Sequence, residues 1–243
     1  MARSAGELKG GLAAILAHPD DESFGCAGAL ALAHAAGRTT RLLVATRGES
    51  GAPEGVDSAA FADVREAELI CAAQKIGLDE VSVLDGYPDG GVADQPFEGL
   101  VDDIATWLAS RRPQAVITFG PHGVTGHPDH VVVGSATRWA VERLAESGVA
   151  PNAVYVISPI YDADGSRYDL SAEEQAASHR VEITDVVGRK LAALECHASQ
   201  ADAAERVIAL RAAIEAGGSL YEGYARVRPI IPGIHPEFDT RLL

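Results

Sequence analysis

A chain of 243 residues with 47% hydrophobic and 23% charged side chains has the composition of a globular protein with one sizeable core, and too few charges for a disordered polymer. Its net charge of −15 repels phosphate backbones and anionic lipid surfaces, and no basic patch offsets it, so neither nucleic acid nor a membrane surface is an expected partner. No segment reaches the ~20 apolar residues of a membrane helix. The run Leu12–Ala17 is short and passes straight into His18-Pro19-Asp20-Asp21, which reads as a buried strand and not as a signal peptide. A cytoplasmic location is the expectation. Cys26, Cys71 and Cys196 lie far apart without a C-x-x-C pair. That argues against a disulfide framework or a cysteine zinc cluster, and for a reducing compartment with Cys26 and Cys71 in the core.

Short apolar runs predict strands at Leu12–Ala17, Arg41–Thr46, Glu80–Leu84, Ala115–Phe119 and Ala153–Ile157. Between them, apolar residues three and four apart predict helices over Phe24–Ala36, Phe61–Ile76, Phe97–Arg111 and His130–Glu146, with Gly37, Gly77 and Gly148 at stop positions. This alternation predicts an α/β fold, a doubly wound, mostly parallel sheet with right-handed crossovers and helices on both faces. Beyond Pro159 the pattern weakens. Tyr161–Ser178 reads as loop, His179–Ile183 as strand, Val186–Cys196 and Ala203–Ala216 as helices, and Glu222–Val227 as a closing strand. With no linker and no repeat, residues 1–243 form one domain with a C-terminal elaboration.

Two segments carry chemistry. Ala17-His18-Pro19-Asp20-Asp21-Glu22-Ser23 follows the first strand, and Gly126-His127-Pro128-Asp129-His130 follows the fourth. Loops at the carboxyl ends of parallel strands are where α/β proteins bind ligands. Alone, the first segment also fits a helix N-terminus on which Asp20 or Asp21 caps free N–H groups. If the first strand is central and the fourth lies beside it, the two segments face each other. A repeated His-Pro-Asp chemistry at facing loops then favours one metal site. Pro19 and Pro128 stiffen the turns that aim the donors.

The motifs A-H-P-D-D-E at Ala17–Glu22 and H-P-D-H at His127–His130 resemble the LmbE/PIG-L family of zinc-dependent de-N-acetylases. The resemblance extends through Thr46-Arg47-Gly48-Glu49-Ser50-Gly51, Arg65-Glu66, Pro88-Asp89-Gly90, and Lys190, Ala193, His197, Ser199 and Gln200. It covers a core of about residues 10–200 and leaves 201–243 as a variable extension. It implies a Rossmann-like fold and removal of acetyl from an N-acetylglucosamine-type substrate or a thiol conjugate. It also implies Zn²⁺ ligands His18, Asp21 and His130 with an open position for water, Asp20 as general base, and His127 at the oxyanion. Asp129 would orient a histidine. Fe²⁺ accepts the same donors, and the resemblance makes a homo-oligomer reasonable.

Other groups are less specific. Arg47 could reach sugar hydroxyls or a phosphate and Glu49 could bind a hydroxyl or brace Arg47, or the two read as an exposed loop pair. Asp89 reads as a crevice residue or as part of a Pro-Asp-Gly turn. His122 and Thr125 precede His127 and could line the pocket, whereas His197 at a helix end reads as a cap or packing residue. Gly25-Cys26-Ala27-Gly28 lacks the G-x-G-x-x-G spacing and follows acidic residues, which disfavours a dinucleotide. The alternative to a hydrolase is a non-catalytic metal- or sugar-binding module.

Overall fold

The computed structural model describes residues 10–159, 170–228 and 242. A seven-stranded sheet is built from β1 (Leu12–Leu16), β2 (Thr40–Val44), β3 (Glu80–Val83), β4 (Ala115–Thr118), β5 (Ala153–Ile157), β6 (His179–Glu182) and β7 (Tyr221–Arg228), in the order β3-β2-β1-β4-β5-β7-β6. The first five strands are parallel, and β7 runs antiparallel to both β5 and β6. Strands β1, β2, β4 and β5 are buried along their whole length. This accounts for their mostly apolar sequences, in which Thr40, Arg41 and Thr118 are the buried polar exceptions.

Helices α2 (Ala27–Ala35) and α3 (Ser58–Ile76) carry the chain from β1 outward to β3, while α4 (Phe97–Arg111) and α5 (Pro128–Glu146) carry it back and on to β5. Right-handed crossovers in opposite directions place the two pairs on opposite faces. The reversal falls between β1 and β4, which pair from Leu12↔Ala115 to Ala14↔Ile117, so their C-terminal loops meet at the switch point. Gly134 in α5 is required there. A Cβ at Gly134 would stand 2.5 Å from the Phe119 carbonyl oxygen, and its absence lets α5 lie against the end of β4.

The structure departs from the sequence expectations in four places. The first expected helix is two, α1 (Asp21–Gly25) and α2, broken at Cys26 (φ −149°, ψ 10°). The polar groups freed at the break are met from far along the chain. Lys190 Nζ donates to the Phe24 carbonyl (2.8 Å), Tyr224 Oη to that of Gly25 (3.2 Å), and the Glu222 carboxylate accepts from Gly28 N and Ala29 N (2.9 and 2.8 Å). A local pattern cannot report such partners. Second, α3 and α5 begin earlier than their apolar periodicity, at Ser58 behind the Asp57 cap and at Pro128 behind the His127 cap. Third, the expected loop Tyr161–Ser178 lies outside the described residues up to position 169, and thereafter contains α6 (Ala172–Gln175).

Fourth, Cys71 and Cys196 are joined in a disulfide, against the expectation of free thiols. Cys71 lies on α3 and Cys196 ends α7 (Val187–Cys196), and these helices pack together although 125 residues separate the two sulfurs in sequence. Cys26 is free and buried, as expected. The segment after residue 200 forms α8 (Ala201–Ala216) and the inserted strand β7. No helix among the described residues is long and apolar enough to cross a membrane. Reduction of the Cys71–Cys196 bridge, or Cys71→Ser, is expected to cost about 2–4 kcal/mol by releasing a long loop in the unfolded chain, a fall in Tm of about 5–15 °C for a domain of this size. Thermal melts with and without reductant check this, and coincident melts would mean that helix packing alone holds the joint.

Candidate active site

The first loop leaves β1 and is pinned at once, with Thr46 N and Oγ1 both donating to the Ala17 carbonyl. Asp21 folds back over it. Its Oδ2 accepts from His18 N (2.8 Å) and Ala17 N (3.2 Å), and its Oδ1 lies 3.2 Å from His130 Nε2. His130 projects from the first turn of α5, stacks on Phe119 at 4.1 Å between ring centroids, and points Nδ1 at the Gly123 carbonyl at 2.9 Å. A carbonyl can only accept, so Nδ1 carries the proton and the Nε2 lone pair faces the site when the ring is neutral.

His18 lies between two groups of donors. Its Nδ1 is 3.1 Å from His130 Nε2 and 3.7 Å from Asp21 Oδ2. On the other side its Nε2 is 3.1 Å from Asp129 Oδ2 and 3.0 Å from Asp89 Oδ1. His127 completes the cluster, its ring edge-on to His18 at 4.7 Å. Two triads place one ligand atom each within 4.8 Å of one another, His18 with His127 and His130, and His18 with Asp89 and Asp129.

The donor chemistry fits a divalent cation among His18, Asp21 and His130. With ligand bonds of 2.0–2.1 Å, the edge of a tetrahedron is about 3.3 Å, close to the 3.1 Å between His18 Nδ1 and His130 Nε2; Asp21 meets the two rings with different oxygens, Oδ1 at 3.2 Å from His130 Nε2 and Oδ2 at 3.7 Å from His18 Nδ1. Asp129 suits an outer role. Both of its oxygens already accept backbone N–H groups, from Gly90 at 2.8 Å and Val92 at 3.1 Å, so Asp129 Oδ2 is placed to take the far N–H of His18, the arrangement that orients metal-bound imidazoles. Asp89 flanks the same nitrogen and is itself tied down by Ser50 N on its Oδ2 and by Glu49 Oε1 on its backbone N–H (both 2.8 Å).

Electrostatics point the same way. Burial lowers the pKa of His18, but hydrogen bonds to Asp129 and Asp89 and the charge of Asp21 outweigh it and raise the imidazolium to about 10. The carboxylates demand positive charge, which a proton supplies in the free protein. Asp21 is held below the usual carboxylate range, because His130 and His18 overcome the burial that would raise it. Asp20 behaves in the opposite way. Burial and the neighbouring Asp21 charge push it up to about 7 although Arg65 opposes them, the range suited to proton transfer at neutral pH. The His127 pKa is lowered by burial and by the charges of His18 and His130.

Asp20 precedes α1 but its side chain makes no cap hydrogen bond, so it does not serve as the cap that its position allowed. Instead Asp20 Oδ2 pairs with Arg65 Nη2 at 2.7 Å. Arg65, on α3 and 2% exposed, also donates to the Pro19 carbonyl and to Glu68. Arg47 lies elsewhere. Its guanidinium pairs with Asp63 (2.5 Å) and Glu66 (2.9 Å) on the outer side of α3 and does not join the cluster. Glu49 braces Asp89 and not Arg47. Further residues that the sequence reading left aside converge behind the site. Buried Glu174 of α6 accepts from His122 N and Val124 N (3.2 and 3.1 Å), fixing the loop ahead of His127. Buried His197 packs as expected, and its Nε2 lies 2.8 Å from Glu22 Oε1.

Comparison with known proteins agrees with this geometry. The family model described as PIG-L, GlcNAc-PI de-N-acetylase, matches residues 13–141, a span that holds both loops. The 1D-myo-inositol 2-acetamido-2-deoxy-alpha-D-glucopyranoside deacetylase of Mycobacterium sp. (strain KMS) is 30% identical over 233 residues, covering 80% of this chain and 75% of that protein. The conserved protein TT1542 from Thermus thermophilus superposes with a TM-score of 0.70 at 26% identity over 92% of this chain and 98% of its own. GalB, the 4-carboxy-2-hydroxymuconate hydratase from Pseudomonas putida KT2440, gives a TM-score of 0.71 at 21% identity over 92% of this chain and 98% of its own. That likeness shows the fold alone, since one fold hosts different reactions. The family match spans more than half of the chain and includes every residue of the His-Asp cluster, and the chain belongs to the PIG-L family.

Proposed function

We propose that this protein is a metal-dependent hydrolase that removes the acetyl group from the amide of an N-acetylglucosamine-type substrate. The observation that carries the reading is the His18–Asp21–His130 triangle with Asp20 in the same loop. Membership in the PIG-L family and a relative named as an acetamido-sugar deacetylase support the reaction and the substrate class. Zn²⁺ suits a His₂Asp set best, and Fe²⁺ is the second choice. Bound there, the ion would act as a Lewis acid on the amide carbonyl and lower the pKa of water toward about 7.

The chain's own residues divide the remaining work. Asp20, poised near neutrality, accepts a proton from the attacking water and returns it to the departing nitrogen, a role worth about 10²–10⁴-fold. His127 receives the Asp129 backbone N–H at Nδ1 (3.2 Å), so its neutral ring carries the proton on Nε2 and can donate it to the developing oxyanion. Asp129 and Asp89 hold His18 from behind. Arg47 is engaged with Asp63 and Glu66 and has no part in this scheme, while Glu49 acts by holding the Asp89 loop.

Purified protein is expected to release acetate from N-acetylglucosaminyl inositol or related N-acetylglucosaminides, and a chelator should abolish the release. Asp20→Asn should keep the metal and lose about 10²–10⁴-fold in kcat, whereas His18→Ala and His130→Ala should lose the metal by elemental analysis. Full rate in Asp20→Asn would remove it as the base. Metal binding without acetate release from any of these substrates would instead favour the binding-module reading.

A second expectation concerns pH. The pKa of His18 is raised from 6.5 to about 10 on folding, so its contribution to stability is complete below pH 6.5 and is lost as pH rises through 10. Metal-stripped protein should therefore lose Tm across that window, and His18→Gln should flatten the loss. A Tm profile that is the same in both proteins would contradict the assignment.

A further inference from the structure

Resting on the proposed role of Asp20, we infer that His197 is a positioning residue that acts on this base through Glu22. Asp20 adopts φ 109° and ψ −29°, a left-handed backbone that is strained for a non-glycine residue and persists only where its surroundings enforce it. The enforcement comes from three directions. Arg65 grips the carboxylate at 2.7 Å. The Asp20 carbonyl accepts from Ser23 N (2.7 Å) and Phe24 N (3.1 Å), and its N–H donates to Glu22 Oε2 at 3.0 Å.

Glu22 is the critical member, since its carboxylate is fully buried. One oxygen takes the Asp20 N–H, and the other takes Ser23 Oγ (2.6 Å) and faces His197 Nε2 at 2.8 Å. Two neutral donors do not compensate a buried charge, which requires a paired cation or a strong charge-assisted hydrogen bond. His197 supplies it. Its side chain is also fully buried, and its Nδ1 makes no hydrogen bond within the described structure, so the polar commitment of the ring goes to Glu22.

The residue is held in place from its own side. His197 N donates to the Leu194 carbonyl (3.1 Å), and its carbonyl accepts from Gln200 N (3.1 Å). The preceding residue, Cys196, is bonded to Cys71 on α3, the helix that carries Arg65. Both hands on Asp20, the guanidinium on its side chain and the Glu22–His197 pair on its backbone, are thus referred to one covalent joint. The chain of contacts ends at the base and not at Nδ1 of His18 or Nε2 of His130, which places its effect on turnover and not on metal or substrate binding.

The test compares His197→Leu, which fills the volume without a donor, with His197→Gln, whose terminal amide reaches Glu22, and with the shorter His197→Asn. Losing an outer partner of this kind typically costs about 10–100-fold. His197→Leu and His197→Asn are therefore expected to lose that much in kcat with KM and bound metal unchanged, and His197→Gln to recover most of it. Hydrogen exchange at the Asp20 amide gives a readout free of activity, with protection expected to fall at least tenfold in the Leu and Asn variants and to return in Gln. If Leu does not fold, the Gln and Asn pair decides. Unchanged Asp20 protection, or loss of metal in step with kcat, would overturn the inference. A wild-type protein that releases no acetate but shows the expected exchange pattern would overturn the hydrolase reading and leave the His197 linkage standing.

Discussion

Carboxylates buried side by side are unstable unless positive charge or N–H donors meet them, and this constraint governs the end of the sheet where β1 and β4 meet. Asp20, Asp21, Glu22, Asp89 and Asp129 crowd near the imidazoles of His18, His130 and His197, and each has its own remedy. Asp129 takes two backbone N–H groups and His18, Asp89 takes Ser50 N and shares His18, Asp21 takes two N–H groups and His130, Glu22 takes His197, and Asp20 takes Arg65. Asp20 has the least complete compensation of these, and its carboxyl is driven up toward neutrality.

The surrounding architecture distributes the remedies over the whole chain. β1 and β4 supply the ends of the two loops, the turn after β3 supplies the N–H groups for Asp129, α3 supplies Arg65, and the end of α7 supplies His197. A site assembled from so many separate segments depends on the register of a rigid sheet. The buried strands and the close approach of α5 at Gly134 provide that register, which loops of this length could not maintain alone.

Much of this is legible in the sequence. Five short, mostly apolar runs mark the parallel strands, and two His-Pro-Asp segments at strand ends mark the cluster, because periodicity and motif spacing are local properties. The rest depends on long-range contact. Cys71 and Cys196 carry no sign of pairing, since only the packing of α3 on α7 brings them together. The break at Cys26 is equally hidden, as Lys190, Tyr224 and Glu222 stabilise it from more than 160 residues away. Arg65 belongs to the family pattern, but its place on a helix does not show that it is 2% exposed and pairs with Asp20. Arg47, which a loop position made a candidate, pairs with two acids of α3, Asp63 and Glu66, that its own segment does not announce.

One further consequence follows from Glu222. In nucleotide-binding proteins of this architecture, the helix after the first strand offers its N-terminal N–H groups to a diphosphate. Here the helix directly after β1 is the short α1, and the first-turn N–H groups of the next helix, Gly28 N and Ala29 N of α2, are occupied by a carboxylate from the chain's own β7, backed by Lys190 at 2.7 Å and Tyr224 at 2.8 Å. The start of α2 thus carries a built-in tenant. An engineer wishing to install a nucleotide on this scaffold would have to evict Glu222 and find a new counter-ion for the stranded lysine before changing any loop.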